Sequence, residues 1–205
     1  MMKPSARVTP RMNNLVRVSD SLDYFKPEWY TNWVLKVGKK EANAISRKAL
    51  KIGSRIDEII RSGDYVSTKK DSEDVKNSLA AFLKWRERYG VVTIKPLSRL
   101  TDQAIGLTGE GDFLWVEAET LVDYKSSKEI DANYFFQLGG YKRLGYPAKR
   151  LAILRCGKDS DDMEFVTNED LGLSLATCVD AYESAYKHYR YYTHIKEQLD
   201  NRRGI

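Results

Sequence analysis

The feature that most constrains the fold is a change of pattern after Gly90. Before it, apolar residues have the spacing of amphipathic helices; after it come short runs rich in β-branched and aromatic residues. These runs are VVTIKPL, AIGLTGEGDFLWV, TLVDYKS, RLAILRC and MEFVT, and one helical pattern, NYFFQLGGYKRLG, separates the third from the fourth. The order predicts an α/β fold with a central mixed β-sheet, a three-strand meander plus one or two further strands, flanked by helices.

Three long helical patterns complete this outline. Two precede the sheet, at about residues 40–61 and 72–89, and the third is expected over 168–201. Thr167 and Asp170 have the spacing of a capping box at the start of the third. The pattern therefore indicates helices that pack on the sheet with one apolar face each.

The chain is expected to form one domain. Residues 1–14 are polar and contain two prolines, which predicts a disordered N-terminal tail. The remaining 15–205 are predicted to divide into a helical part at 15–90, a sheet core with the active site at 91–167, and a C-terminal helix at 168–201.

Composition narrows the class of protein. The net charge of +5 is compatible with a polyanionic partner. The two cysteines are distant from each other and from both histidines, so a disulfide scaffold and a zinc site are not predicted. No apolar run is long enough to cross a bilayer and no signal peptide is recognisable, so we expect no membrane partner and a cytoplasmic, intracellular protein.

The third β-run contains the residues with the clearest chemistry. Asp123 and Lys125 are two positions apart and project to one face of a strand, whereas Tyr124 points the other way. The preceding run is expected to end in Asp112, so that a hairpin brings its carboxylate alongside. Two carboxylates can bind a divalent cation, and a lysine beside them can stabilise the charge of a phosphodiester under attack. An exposed cross-strand ion pair is the simpler alternative for Asp123 and Lys125.

Neighbouring residues favour the first interpretation. Gly109 and Gly111 precede Asp112 and allow a ligand or backbone to approach closely. Gln137 and Tyr141 lie four apart on the next helix, so both can face the same pocket.

Together these motifs resemble the PD-(D/E)XK nuclease superfamily, in the RecB-like branch found in bacteriophages and in recombination and repair enzymes. That branch combines G-x-x-D, V-D-Y-K-[ST] and Q-x-x-x-Y, which correspond here to Gly109–Asp112, Val122–Ser126 and Gln137–Tyr141. The segment KALKIGSRIDEIIRSG also resembles an early helix of the family. The resemblance implies a restriction-endonuclease-like core and a deoxyribonuclease dependent on Mg²⁺ or Mn²⁺, with one or two ions.

The resemblance also implies a role for each motif residue. Asp112 and Asp123 would be metal ligands, with the backbone carbonyl of Tyr124 as a third, and Lys125 would be the catalytic lysine. Gln137 would orient the phosphate or the attacking water. The residues expected to support the site or contact DNA, largely without sequence preference, are Tyr141, Ser126, Arg55, Lys51 and Lys48.

Two departures from the family pattern concern the metal. Asp57 stands where relatives usually have a histidine on the early helix; it would bind metal directly or through water, or pair with Arg61 at i+4. An acid often found on the first strand is absent, because Lys95 and Pro96 occupy that region. The cysteine cluster of some relatives is missing too, so no iron–sulfur cluster is predicted.

Three functions follow as hypotheses. The first is a DNA exonuclease acting on DNA ends in recombination, repair or phage DNA processing, in the host cytoplasm if phage-encoded. The second is a catalytically inactive member of the same fold that binds DNA or a protein. The third is a helical interaction protein on which Asp112, Asp123 and Lys125 are separate surface charges. The sequence leaves a homo-oligomer open.

Overall fold

The computed structural model of the chain describes residues 15–22 and 28–203, so the predicted N-terminal tail at 1–14 lies outside the described residues. The elements, in chain order, are β1 (Val16–Arg17), α1 (Val18–Leu22), α2 (Glu28–Val37), α3 (Lys39–Ser62), α4 (Glu73–Arg88), β2 (Ile94–Pro96), β3 (Leu100–Asp102), β4 (Leu107–Gly109), β5 (Phe113–Trp115), β6 (Thr120–Lys125), α5 (Ala132–Arg143), β7 (Arg150–Cys156), β8 (Met163–Thr167) and α6 (Leu175–Arg203). Among them, no helix is long and apolar enough to cross a membrane.

The centre of the fold is a five-stranded mixed sheet in the order β2-β5-β6-β7-β8. The first three strands are antiparallel neighbours and form the predicted meander. β7 then runs parallel to β6, with α5 as the crossover, and β8 returns antiparallel to β7. The predicted α/β fold, with a mixed sheet flanked by helices, is confirmed.

Helices cover both faces of this sheet. On β6, Leu121 faces a core that contains residues of α5 and α6, while Val122 faces a second core built with α3 and α4. Trp85 of α4 is fully buried in the second core, in contact with the Phe113 ring. Because side chains alternate along a strand, the same rule places Asp123 on the α5 side and Tyr124 on the α4 side.

One predicted strand is two strands in the structure. The run from Ala104 to Val116 divides into β4, which joins β1 and β3 in a separate three-stranded sheet, and β5 of the central sheet. Asp112 therefore lies just before β5. The prediction that Asp112 ends a strand is wrong. The break is stabilised by Arg61, whose guanidinium donates to the carbonyl oxygens of Leu97 (2.8 Å) and Gly111 (3.4 Å).

The C-terminal helix begins later than residue 168. Thr167 and Asp170 make the reciprocal bonds of a capping box, with Asp170 Oδ2 accepting from the Thr167 amide at 2.8 Å, but only a turn follows. Asn168 prevents a helix here, because its buried amide bonds the Leu151 amide (2.8 Å) and the Leu173 carbonyl (2.7 Å). α6 starts after Ser174, whose hydroxyl accepts from the Thr177 amide.

Candidate active site

The two predicted acids and the lysine meet at one edge of the central sheet. Phe113 of β5 pairs with Val122 of β6, so Asp112 lies beside the end of β6. There Asp112 Oδ2 accepts a 2.6 Å hydrogen bond from the Tyr124 amide. Asp112, Asp123 and Lys125 therefore converge, which contradicts the hypothesis that they are separate charges on the surface of an interaction protein.

Asp123 and Lys125 form a buried ion pair on the face predicted for them. The distance from Lys125 Nζ to Asp123 Oδ2 is 2.6 Å, and the Asp123 side chain is only 2% exposed. Besides this ammonium, the buried Oδ2 has no hydrogen-bond partner among the described residues. This oxygen is suited to bind a cation, because a buried carboxylate needs more than one partner.

Lys125 is held by α5 as well as by β6. Its ammonium donates to Gln137 Oε1 at 2.9 Å, and Gln137 Nε2 in turn donates to the Tyr141 hydroxyl at 2.7 Å. The ammonium also lies 4.8 Å from the centre of the Tyr134 ring, a cation–π distance. Asp123, Lys125, Gln137 and Tyr141 thus form a continuous line of contacts from the sheet to the helix.

Tyr134 is a site residue that the sequence analysis missed. It lies three positions before Gln137 and seven before Tyr141, so all three are on one face of α5. The signal was present in the sequence, since i, i+3 and i+7 is the spacing of a helix face. Tyr146 was also missed: its hydroxyl donates to the Gly109 carbonyl (3.2 Å), and its ring contacts Tyr141 edge-on.

Asp57 pairs with Arg61, one of the two alternatives that the sequence left open. Arg61 Nε lies 2.9 and 2.8 Å from the two carboxylate oxygens of Asp57. The same guanidinium is 3.3 Å from Glu110 and donates to Gly111, next to Asp112. Asp57 is near enough for its charge to help raise the pKa of Asp112, but both of its oxygens are bonded to Arg61.

The electrostatics of the site are dominated by burial. Burial, and then the negative charge of Asp123, raise the pKa of Asp112 to about 8. Burial also raises the pKa of Asp123, against the opposing effect of Lys125. For Lys125, burial alone would lower the pKa, yet the charges of Asp123 and Asp112 outweigh it and the pKa is raised. Lys125 is therefore an ammonium at neutral pH.

These residues fit a divalent cation. When both acids are ionised, they outnumber the single lysine, and a hard cation with oxygen ligands would balance the charge. In the described part of the chain, no group of three or more His, Cys, Asp and Glu side chains is arranged to hold a metal. A cation here would therefore have two carboxylate ligands, Asp112 and Asp123, with a backbone oxygen, water or substrate completing its shell, as is usual for Mg²⁺.

Metal binding is expected to depend on pH through Asp112. Its pKa is raised from an unfolded value of about 4 to about 8, so the metal-free protein should lose stability as pH rises through this window. A ligand must be deprotonated, so the affinity for Mn²⁺ should rise up to about pH 8 and then level off. Calorimetry at neutral pH, in two buffers of different ionisation enthalpy, should show that Mn²⁺ binding releases protons.

The control for this experiment is Asp112→Asn, which should remove both the proton release and most of the Mn²⁺ binding. Binding by the unmodified protein without proton release would contradict the assignment of Asp112 as a buried ligand.

The basic residues predicted to contact DNA differ in their availability. Lys51 is exposed, and Lys48, also largely exposed, pairs with Asp74 at 3.1 Å. Arg55 is fully engaged: it binds Asp71 through two nitrogens (2.7 and 3.2 Å) and Glu58 through a third (3.0 Å). Arg55 therefore fixes the turn after α3, and we leave it out of the proposed DNA contacts.

Ser126 connects the end of β6 with a surface cleft. It follows Lys125 directly and is half-buried. Together with Lys48 it lines a cleft of about 400 Å³ beside α3, which we call the α3 cleft.

Comparison with known proteins gives matches among solved structures. No protein-family model matches the chain, and no curated protein matches it in sequence. The structure is similar to an alkaline exonuclease from Laribacter hongkongensis, with a TM-score of 0.42 and 12% identity over 90% of this chain and 94% of that one. It is also similar to a phage-related exonuclease from Haemophilus somnus 129PT, with a TM-score of 0.40 and 14% identity over 89% and 96%. Both are exonucleases by name.

Proposed function

We propose that this protein is a deoxyribonuclease of the PD-(D/E)XK type, which uses Mg²⁺ or Mn²⁺ to hydrolyse phosphodiester bonds at DNA ends. The observation that supports it best is the convergence of Asp112, Asp123, Lys125 and Gln137 at one sheet edge. Lys125 contacts Asp123 at 2.6 Å and Gln137 at 2.9 Å, and Asp112 accepts from the Tyr124 amide at 2.6 Å. The setting is recombination, repair or phage DNA processing in the cytoplasm, and residues 15–205 act as a single nuclease domain.

Each side chain has a distinct task in this proposal. Asp112 and Asp123 would hold one or two ions with the backbone carbonyl of Tyr124; when bound, such an ion polarises the phosphate and supplies an activated water. Lys125 is protonated, so it donates hydrogen bonds to the phosphoryl oxygens or to the attacking water and does not act as a base. Gln137 orients this ammonium.

Tyr141 has a supporting task. Burial and the charges of Asp123 and Asp112 raise its pKa, so it remains a neutral phenol. It accepts the amide hydrogen bond that fixes the orientation of Gln137, which in turn holds Lys125. Lys48, Lys51 and Ser126 are the proposed contacts to the phosphate backbone, with largely sequence-independent binding.

A second candidate is a catalytically inactive module of the same fold. It is favoured by one observation, namely that Asp57, in the position of the usual histidine, is bonded through both oxygens to Arg61. If a metal needs a ligand from α3, the pairing with Arg61 would prevent Asp57 from binding it.

Digestion of linear and covalently closed circular DNA distinguishes these functions. With Mg²⁺ or Mn²⁺ we expect the protein to degrade linear duplex DNA progressively and to leave closed circles intact, because the proposal requires a free end. Nicking or linearisation of the circles would show an endonuclease instead. DNA binding without cleavage of either substrate would favour the inactive module.

A further inference from the structure

The α3 cleft lies at the same sheet edge as the proposed catalytic residues. β6 and β7 are parallel, and Lys125 at the end of β6 pairs in register with Arg155 of β7. Lys158 follows Arg155 by three residues, in the turn between β7 and β8. Since neighbouring strands are about 4.8 Å apart, the loop after Lys125 and the turn with Lys158 are side by side.

The walls of the cleft come from four parts of the chain, one of which is α4 with Asp74. Lys48 belongs to α3, Ser126 and Lys128 belong to the loop after β6, and Lys158 belongs to the β7–β8 turn. This turn is fixed on α4, because Ser78 and Asn77 donate to the carbonyl oxygens of residues 157 and 158 at 2.8 Å each. The position of Lys158 is therefore set by the fold.

Lys158 has the surroundings of an anion-binding residue. It is half-buried, and within the described residues its ammonium makes no ion pair or hydrogen bond. Burial lowers its pKa, and the charges of Lys48 and Lys128 lower it further, against the opposing effect of Asp74 and Asp159. A half-buried ammonium without an ion pair would be stabilised by an anion that approaches it from the cleft.

The acidic residues of the cleft offset part of this positive charge, since Asp74 and Asp159 oppose the lowering of the Lys158 pKa. Asp74, Asp159 and Asp162 also line the cleft, and Asp74 is occupied by Lys48 at 3.1 Å. Arg155, the fourth cation, is paired with Glu164 at 3.0 Å. Of the four cations that line the cleft, Lys128 and Lys158 make no ion pair with another described residue.

We propose that the α3 cleft binds a backbone phosphate of the DNA strand close to the phosphate that is cleaved, with Lys158 as the principal ligand and Lys48 and Lys128 beside it. The inference rests on the proposed nuclease function. Phosphates follow one another at about 3.4 Å of helix axis along a strand, so a strand that enters the catalytic site has further phosphates within reach of the adjacent strand end. Ser126 follows Lys125 in the chain and lines the cleft, so it connects the two positions.

The test is DNA binding without hydrolysis. A short fluorescein-labelled linear duplex is titrated in EDTA, at several salt concentrations, with the unmodified protein and with Lys158→Met. We expect the variant to bind about 10-fold more weakly, and the slope of log K against log salt to decrease by about 0.9. Lys158→Arg, which keeps the charge, should restore most of both.

Lys149→Met is the matched control. Lys149 precedes β7 at the opposite edge of the sheet and is exposed, paired with Glu119 at 2.6 Å. Lys149→Met removes the same charge from the same side-chain type. Because Lys149 is far from the cleft, the affinity for DNA and the salt slope should stay nearly unchanged. Equal effects of Lys158→Met and Lys149→Met, in proteins with matching thermal unfolding, would overturn the proposal.

Hydrolysis measured in parallel separates this proposal from the nuclease assignment. If both hold, Lys158→Met raises KM for linear DNA and leaves kcat nearly unchanged. If the unmodified protein cleaves no DNA but Lys158→Met still weakens binding, the cleft is correct and the nuclease function is wrong. If cleavage occurs and Lys158→Met changes neither binding nor KM, the cleft is wrong and the nuclease function stands.

Discussion

Lys125→Met should reduce the rate of DNA hydrolysis by about 10²–10³-fold. Methionine keeps an unbranched side chain of similar length but removes the ammonium that contacts Asp123 (2.6 Å) and Gln137 (2.9 Å). Without it, the proposed site loses the ammonium that would stabilise the charge that develops on the phosphoryl oxygens. The loss should appear in kcat, since most of the DNA contacts lie elsewhere.

The variant leaves Asp123 buried without its counter-charge, which should raise the pKa of this carboxyl further. Mn²⁺ affinity is therefore measured on the same preparation, at a pH above 8, to separate loss of metal from loss of the ammonium. Lys149→Met again serves as a control for the change of residue type. Undiminished hydrolysis by Lys125→Met would exclude Lys125 as a catalytic residue.

Gly139→Ala should have the largest effect on stability. A Cβ atom at Gly139 would lie 2.1 Å from the carbonyl oxygen and 2.6 Å from the carbonyl carbon of Cys178, both in the backbone of α6. A backbone cannot rotate away as a side chain can, so α5 and α6 would have to separate. We expect a decrease of about 3 kcal/mol or more in the free energy of unfolding.

Gly53→Ala is the matched control, since it makes the same substitution in another helix. A Cβ atom at Gly53 would have only the Ser126 hydroxyl, at 4.0 Å, within contact distance. Alanine is the better helix former, so this variant should gain about 0.5–1 kcal/mol. Urea unfolding of both variants tests the opposite signs, and a similar stability for the two would contradict the packing of α5 on α6.

The Gly139 site also connects stability with function. α5 holds Gln137 and Tyr141, which position Lys125. A displacement of α5 would therefore disturb the catalytic line of contacts, and any folded Gly139→Ala protein should hydrolyse DNA more slowly.

The parts of the site that the sequence predicts are those governed by local periodicity. Asp123 and Lys125 share a face because a strand alternates, and Gln137 and Tyr141 share a face because a helix repeats every 3.6 residues. Both relations are confirmed by direct contacts in the structure.

The parts that were wrong or missed depend on contacts between distant residues. β1 pairs with β4 although about ninety residues separate them, and β4, which ends at Gly109, belongs to this separate sheet and not to the strand that was expected to end in Asp112. The role of Arg61 likewise depends on carbonyl groups 36 and 50 residues away. For the C-terminal helix, the capping-box bonds of Thr167 and Asp170 form as expected, yet the amide of Asn168 decides that a turn follows.

The central claim is tested most directly by the release of nucleotides from end-labelled linear DNA, with Mg²⁺ and with excess EDTA. The account predicts release by the unmodified protein in Mg²⁺, none in EDTA, and a loss of about 10²–10³-fold in a Lys125→Met protein purified in the same way. Equal release by the two proteins would rule out Lys125 as the catalytic lysine that the account requires. No release by folded, Mn²⁺-binding protein would contradict the account.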